Sequence, residues 1–265
     1  MAFAKKLKNT RRSPWSFIAV IVAGLIVTGS GYSVATAAPT TDTGYTQQQV
    51  DSGRKLFLAN CASCHGAKAE GTDAGPTLIG VGAAAVLFQV ETGRMPGAMS
   101  SGPQLQVKPV QFKQEDIDSL AAYVASLGDG PAAPTKEFLD AANNGDPTRG
   151  GQIFRINCAM CHNAVGAGGA LTQGKYAPAL NHTSPEHIYE AMVTGPQNMP
   201  VFNNETLSLQ DKADLITYLQ QVRSNPSIGG FDLGNLGPVA EGLFAWIFVL
   251  GALVLITMWL GAKSN

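Results

Sequence analysis

The chain has 265 residues, 18 basic and 19 acidic side chains, a formal net charge of −1 and a mean hydropathy of +0.06. That length and a charged fraction of 14% accommodate two small domains plus membrane segments. The charge balance says little about partners until the basic leader is removed, after which the acidic excess disfavours nucleic acid.

In chain order, Lys5, Lys6, Lys8, Arg11 and Arg12 precede the apolar run Phe17 to Val27, and Ala35-Thr36-Ala37 then offers a small-residue cleavage site. This layout predicts a secretory signal over residues 1–37, its apolar stretch being shorter than a comfortable span. An uncleaved N-terminal anchor is the alternative, and either outcome delivers the rest of the chain to the outer face of the membrane. No acid lies in these positions. Removing the leader takes 5 of the 18 basic residues, leaving 13 against 19 acids and a net charge of −6. Such an excess suits docking to a basic partner or simply aids solubility.

A short helix over Gln47 to Leu58 leads into Cys61-Ala62-Ser63-Cys64-His65, and Arg149 to Arg155 leads likewise into Cys158-Ala159-Met160-Cys161-His162. The two frames use all four cysteines. Cys-x-x-Cys-His is the attachment signal of a c-type haem: each thiol adds across one vinyl group, and the adjoining histidine gives the iron its first axial nitrogen. A structural zinc site needs paired knuckles close enough to meet, but these lie 97 positions apart, each within its own unit. A thioredoxin-like pair needs a βαβ setting and leaves both histidines unexplained. Two covalently bound haem c groups are therefore expected on Cys61, Cys64, Cys158 and Cys161, with His65 and His162 on the irons and no thiol left for a disulfide.

The whole unit is duplicated, not the motif alone. Gly53, Leu56, Phe57 and Asn60 match Gly150, Ile153, Phe154 and Asn157; Gly75-Pro76-Thr77-Leu78 matches Ala177-Pro178-Ala179-Leu180; Thr92-Gly93 matches Thr194-Gly195. Shortly after each Thr-Gly pair come Met95-Pro96 and Met199-Pro200. Met95 and Met199 are the candidates for the sixth iron ligand, since a thioether is a soft, weak donor that favours the ferrous state and fills the coordination site. Met99, Met160 and Met192 lack this match and read as core packing. His182 and His187 have no counterpart in the first unit and read as surface or hydrogen-bonded histidines. Arg94 and Arg155 are weaker candidates for pairing with haem propionates.

Each unit should close with a helix, one carrying Ile117, Leu120, Val124 and Leu127, the other Leu215, Tyr218, Leu219 and Val222, with Ser208 and Asp211 forming a capping box before the second. Gly- and Pro-rich loops are expected between the helices. Gly128 to Pro134 divides the units into residues 45–128 and 145–224, and Ser224 to Pro238 is a second linker. The charge-free run Leu243 to Leu260, with Trp246 and Trp259 near its edges, predicts a transmembrane helix over 239–261, and Lys263 beyond it fits a cytoplasmic end. The fold class is all-α: two tandem class I cytochrome c domains plus a C-terminal transmembrane helix.

These features resemble the dihaem cytochrome cc subunit of the actinobacterial menaquinol–cytochrome c reductase, the cytochrome bcc complex. The resemblance spans nearly the full chain and rests on the paired haem frames, the paired Met-Pro steps and the order of leader, haem units and final helix. It implies an electron-transfer subunit of a quinol–cytochrome c reductase, with cytochrome b and a Rieske iron–sulfur subunit as partners. It further implies electron delivery to a haem-copper cytochrome c oxidase in a respiratory supercomplex, with the haem units on the outer, periplasmic side of the cell membrane. No bond-making chemistry is expected in this chain alone. Competing readings are a dihaem peroxidase, which the paired methionines oppose, the cytochrome subunit of a periplasmic dehydrogenase, and that of a cbb-type oxidase, which usually carries its anchor first. A free membrane-tethered shuttle is a further alternative.

Overall fold

The computed structural model describes residues 14–36, 44–97, 107–224 and 238–263. It is helical throughout apart from one two-stranded ribbon, and the elements follow the duplication seen in the sequence.

Helix α1, Pro14–Thr36, is apolar and exposes Trp15, Phe17 and Val20. In the first unit, α2 is Gln47–Asn60, α3 is Ala62–His65, α4 is Gly82–Glu91 and α5 is Gln114–Ala125. Thr46 opens α2 with a reciprocal cap: its Oγ1 accepts from the Gln49 amide, and its own amide donates to Gln49 Oε1. Helix α5 stops at Ala125, two residues short of the apolar series, and Leu127 packs on the core from the turn that follows.

In the second unit, α6 is Lys136–Asn143, α7 is Pro147–Asn157, α8 is Ala159–His162, α9 is Pro185–Thr194 and α10 is Leu209–Ser224. Strands β1, Gly169–Ala170, and β2, Tyr176–Ala177, pair antiparallel between α8 and α9. The expected capping box is present: Ser208 donates from its amide and hydroxyl to Asp211, and the Asp211 amide donates back to Ser208 Oγ.

Three helices stand where loops were expected: α4, α6 and α9. Thr135 caps α6 and Ser184 caps α9, each accepting from the amide three residues on, and Pro185 occupies the first turn of α9. These were legible start signals. Helix α4 offers none, since it opens at Gly82 with no side-chain cap. Phe138 and Ala142 of α6 belong to the second unit's core, so that unit begins packing before residue 145.

Each core centres on a crossing of the helix before its attachment motif with its last helix, α2 on α5 and α7 on α10. The paired glycines explain why the helices come so close. A Cβ on Gly53 would sit 1.8 Å from the Ser119 carbonyl oxygen, and one on Gly150 would sit 1.9 Å from that of Asp214. Beside each glycine an aromatic pair closes the crossing, Phe57 with Tyr123 at 5.2 Å and Phe154 with Tyr218 at 5.6 Å between ring centroids. The two units also meet each other, through α4 and α9.

The final helix runs as α11, Pro238–Phe244, a π-helical stretch Ala245–Leu250, and α12, Gly251–Ala262. Among the described residues, Glu241–Ala262 is the one helix long and apolar enough to cross a membrane, with mean hydropathy 2.5 and its side chains exposed. Lys263 lies 4.8 Å from the Trp259 ring, a cation held against an aromatic at the helix end.

Candidate functional site

In both units the segment from the first cysteine to the histidine is a single tight turn. Cys61 and Cys158 each accept from the amide of the histidine four residues on, at 3.0 and 2.9 Å. That turn brings the two thiols and the imidazole onto a short arc, as a porphyrin edge gripped at two vinyl carbons requires. All four thiols are free. Burial, then the neighbouring Cys64, pushes the Cys61 thiol up to about 11; burial, then Cys161, pushes Cys158 up to about 12. Cys61 and Cys158 therefore keep their protons at neutral pH.

The prolines matched in the sequence have a definite task. His65 Nδ1 donates to the Pro76 carbonyl at 2.7 Å, and His162 Nδ1 donates to the Pro178 carbonyl at 2.9 Å. With Nδ1 carrying the proton, Nε2 is left with its lone pair free to bind a metal. Burial holds His162 below its ordinary pKa despite the proline contact, so the imidazole is neutral when the ligand bond must form.

In the second unit Cys158, Cys161, His162 and Met199 line one predominantly apolar cavity of about 320 Å³, together with Phe154, Leu180, Met192 and Leu215. Met199 packs on the second core and Met95 on the cluster of Ala83, Leu87, Val90, Ile117 and Ala121 in the first unit. The residues fit a haem: paired thiols and a lone-pair nitrogen, a thioether on the same cavity, and an apolar lining for the macrocycle.

The cavity is not lined by the second unit alone. Phe88, Thr92, Arg94 and Val107 of the first unit line it. The Arg94 guanidinium lies 4.8 Å from the centre of the Phe88 ring, and burial draws its pKa down without discharging it. Arg94 thus faces the second unit although it adjoins Met95 of the first; Arg155 is exposed and outside the lining. No local pattern carries this information, because it arises from the docking of α4 on α9.

Of the remaining methionines, Met192 is 2% exposed as core packing requires. Met160 corrects the expectation: at 93% exposure it is a surface residue, because the tight turn between the thiols points it outward. Met99 lies outside the described residues. His182 is exposed, and His187 bonds through Nε2 to Glu91 at 2.8 Å.

A family model described as Cytochrome c matches residues 50–128, and one described as Cytochrome C oxidase, cbb3-type, subunit III matches residues 145–219. The cytochrome bc1 complex cytochrome c subunit of Corynebacterium diphtheriae is 37% identical over 282 residues, covering 100% of both chains. The chain belongs to this family of cytochrome bc1 complex cytochrome c subunits. The Mycobacterium tuberculosis member is 46% identical over 217 residues, 80% of this chain and 77% of that protein. The cbb3-type oxidase subunit CcoP of Azospirillum is 30% identical but covers only 50% of this chain and 46% of its own. The likeness to the oxidase subunits is thus a likeness of haem units, whereas the likeness to the bc1 subunits includes both ends. As a member, the chain is an electron-transfer cytochrome of an oxidoreductase complex, its cytochrome c domains implying covalently bound haem c, and its final helix suits a membrane anchor.

Proposed function

We propose that the chain carries two haem c groups, the first on Cys61 and Cys64 with His65 and Met95 on the iron, the second on Cys158 and Cys161 with His162 and Met199. The placement of both thiols, the histidine and the methionine on one apolar cavity in the second unit is the observation that carries this reading. The duplicated bonds from His65 to Pro76 and from His162 to Pro178 extend it to the first unit. When bound, each haem supplies an iron that changes between ferric and ferrous states. His65 and His162 would each hold the iron through Nε2, with the tautomer fixed by the proline carbonyl. Met95 and Met199 would supply a second, soft ligand that raises the potential and competes with oxygen or peroxide for the iron. Neither binding nor proton transfer is asked of these side chains during turnover, so little rearranges as an electron passes.

Within a menaquinol-oxidising complex, the chain takes electrons from a Rieske iron–sulfur protein beside a cytochrome b subunit. It passes them from the first unit to the second and delivers them to a haem-copper cytochrome c oxidase. The activity of the assembly is that of a quinol–cytochrome c reductase, and quinol chemistry belongs to the other subunits. The leader and final helix hold the haem units on the outer face of the cell membrane with Lys263 on the cytoplasmic side. Isolation from membranes in mild detergent tests the assignment. Co-purified cytochrome b and Rieske proteins and two haems per chain by pyridine haemochromogen are expected, whereas a lone chain or a single haem would overturn the respective part.

A further inference from the structure

Where the two haem units meet, three potential metal ligands converge on one point. Glu91 ends α4 of the first unit, while His187 and Glu190 stand one turn apart on the same face of α9 of the second. One ligand atom from each residue lies within 4.8 Å of the other two, and none belongs to the proposed haem ligands. Glu190 is 2% exposed, and its Oε2 has no hydrogen-bond partner. A buried carboxylate oxygen in that state is destabilising unless something satisfies it.

A proton or a cation can do so. Burial, then the charges of Glu91 and Glu186, pushes the Glu190 carboxyl up to about 9, which describes the empty site. A bound cation inverts that preference by stabilising both carboxylates. The Glu91 and His187 side chains are 18% and 22% exposed, giving an ion a way in and a water room to complete the coordination. Gln114 donates to Glu91 Oε1 at 2.6 Å, leaving Oε2 directed at His187. One imidazole and two carboxylates match the donor set of zinc with a water in fourth place, and fall short of the six to eight oxygens that calcium takes.

We propose that Glu91, His187 and Glu190 form a Zn²⁺ site that joins the two cytochrome c domains. On binding, the neutral His187 ring carries its proton on Nδ1 so that Nε2 can ligate, any proton on Glu190 is released to solvent, and the ion replaces the hydrogen bond with three ligand bonds. The site tethers α4 to α9 beside the cavity that Arg94 and His187 help to line.

The test uses the full-length, haem-loaded chain in detergent, stripped with a chelator and dialysed against ZnCl₂, with bound metal counted by mass spectrometry. One Zn²⁺ per chain, unaffected by excess Ca²⁺, is expected, with a zinc X-ray absorption spectrum showing one imidazole among oxygen ligands. His187→Asn and Glu190→Gln should each weaken binding about tenfold or more, and their haem spectra report whether the variants remain folded. Sub-stoichiometric zinc, a spectrum without imidazole, or undiminished binding in folded variants would overturn the site.

Discussion

Met199 shares a cavity with His162 and offers it a thioether sulfur. Met199→Ala is expected to abolish the methionine-to-iron band in the near infrared for one haem. It should also lower that haem's potential by on the order of 0.1 V, a fraction of the roughly 0.8 V that axial ligation spans. Redox titration of the purified chain checks both. Arg94 gives a sharper discrimination, because chain position ties it to Met95 while the fold places it at the second cavity. Replacing its half-buried charge in Arg94→Gln favours the oxidised iron. The second haem's potential should therefore fall, by up to about 60 mV, a tenfold change in a one-electron equilibrium. A shift confined to the first haem would contradict the observed docking.

Among the elements, the α7–α10 crossing concentrates the second unit's stability. Gly150 lets α7 touch the Asp214 backbone, and the Asp214 side chain accepts from the Asp146 amide at 2.9 Å, from Gln210 at 2.8 Å and from Arg149 at 3.3 Å. Gly150→Ala gains up to about 1 kcal/mol of helix propensity but forces the backbones apart at a cost of about 1–3 kcal/mol or more. A net loss in thermal unfolding of the haem-loaded chain is expected, and an unchanged or raised midpoint would show that the helices can separate freely. Asp211, in the cap of α10, is held below its ordinary value chiefly by the Ser208 hydroxyl, which outweighs the raising effect of burial, with the Ser208 amide, Arg149 and Lys212 assisting. Because its folded pKa is depressed, its stabilisation is complete above the unfolded value and disappears as pH falls through the folded one. Asp211→Asn should therefore be less stable than the parent at neutral pH and flatten its acid-side loss; equal slopes in acid titrations of unfolding would refute this.

For the whole molecule, the question is what holds it to the membrane and what holds its units together. Glu241–Ala262 exposes an apolar surface that nothing in the described residues covers, which suits lipid. A chain ending at Ser224, exported with a cleavable signal in place of residues 1–37, should appear in the soluble fraction with its haem spectrum intact. Retention in membranes would mean that the haem units carry a second attachment. Between the units, Glu91 and His187 bond across 96 positions of sequence, and Phe88 meets the His187 ring edge-on at 6.4 Å. These contacts make the first unit part of the wall of the second cavity, so the two units are held side by side by packing.

The amino-acid sequence alone determined the features whose chemistry is local. Cys61 to His65 and Cys158 to His162 are fixed by covalent spacing, the capping box of Ser208 and Asp211 by one helical turn, and the final helix by its uninterrupted apolar run. Duplication added the paired glycines, prolines and methionines as landmarks, although the tasks of Gly53, Gly150, Pro76 and Pro178 emerged only from the contacts they make. Tertiary structure alone decided the rest: that α4 is a helix and packs against α9, that Phe138 belongs to the second core, that Met160 points outward, and that Arg94 serves the other unit's cavity. The physical reason is range. A motif within one turn is read from its own residues, whereas a contact between distant segments depends on how two apolar surfaces dock, and no spacing along the chain encodes that choice.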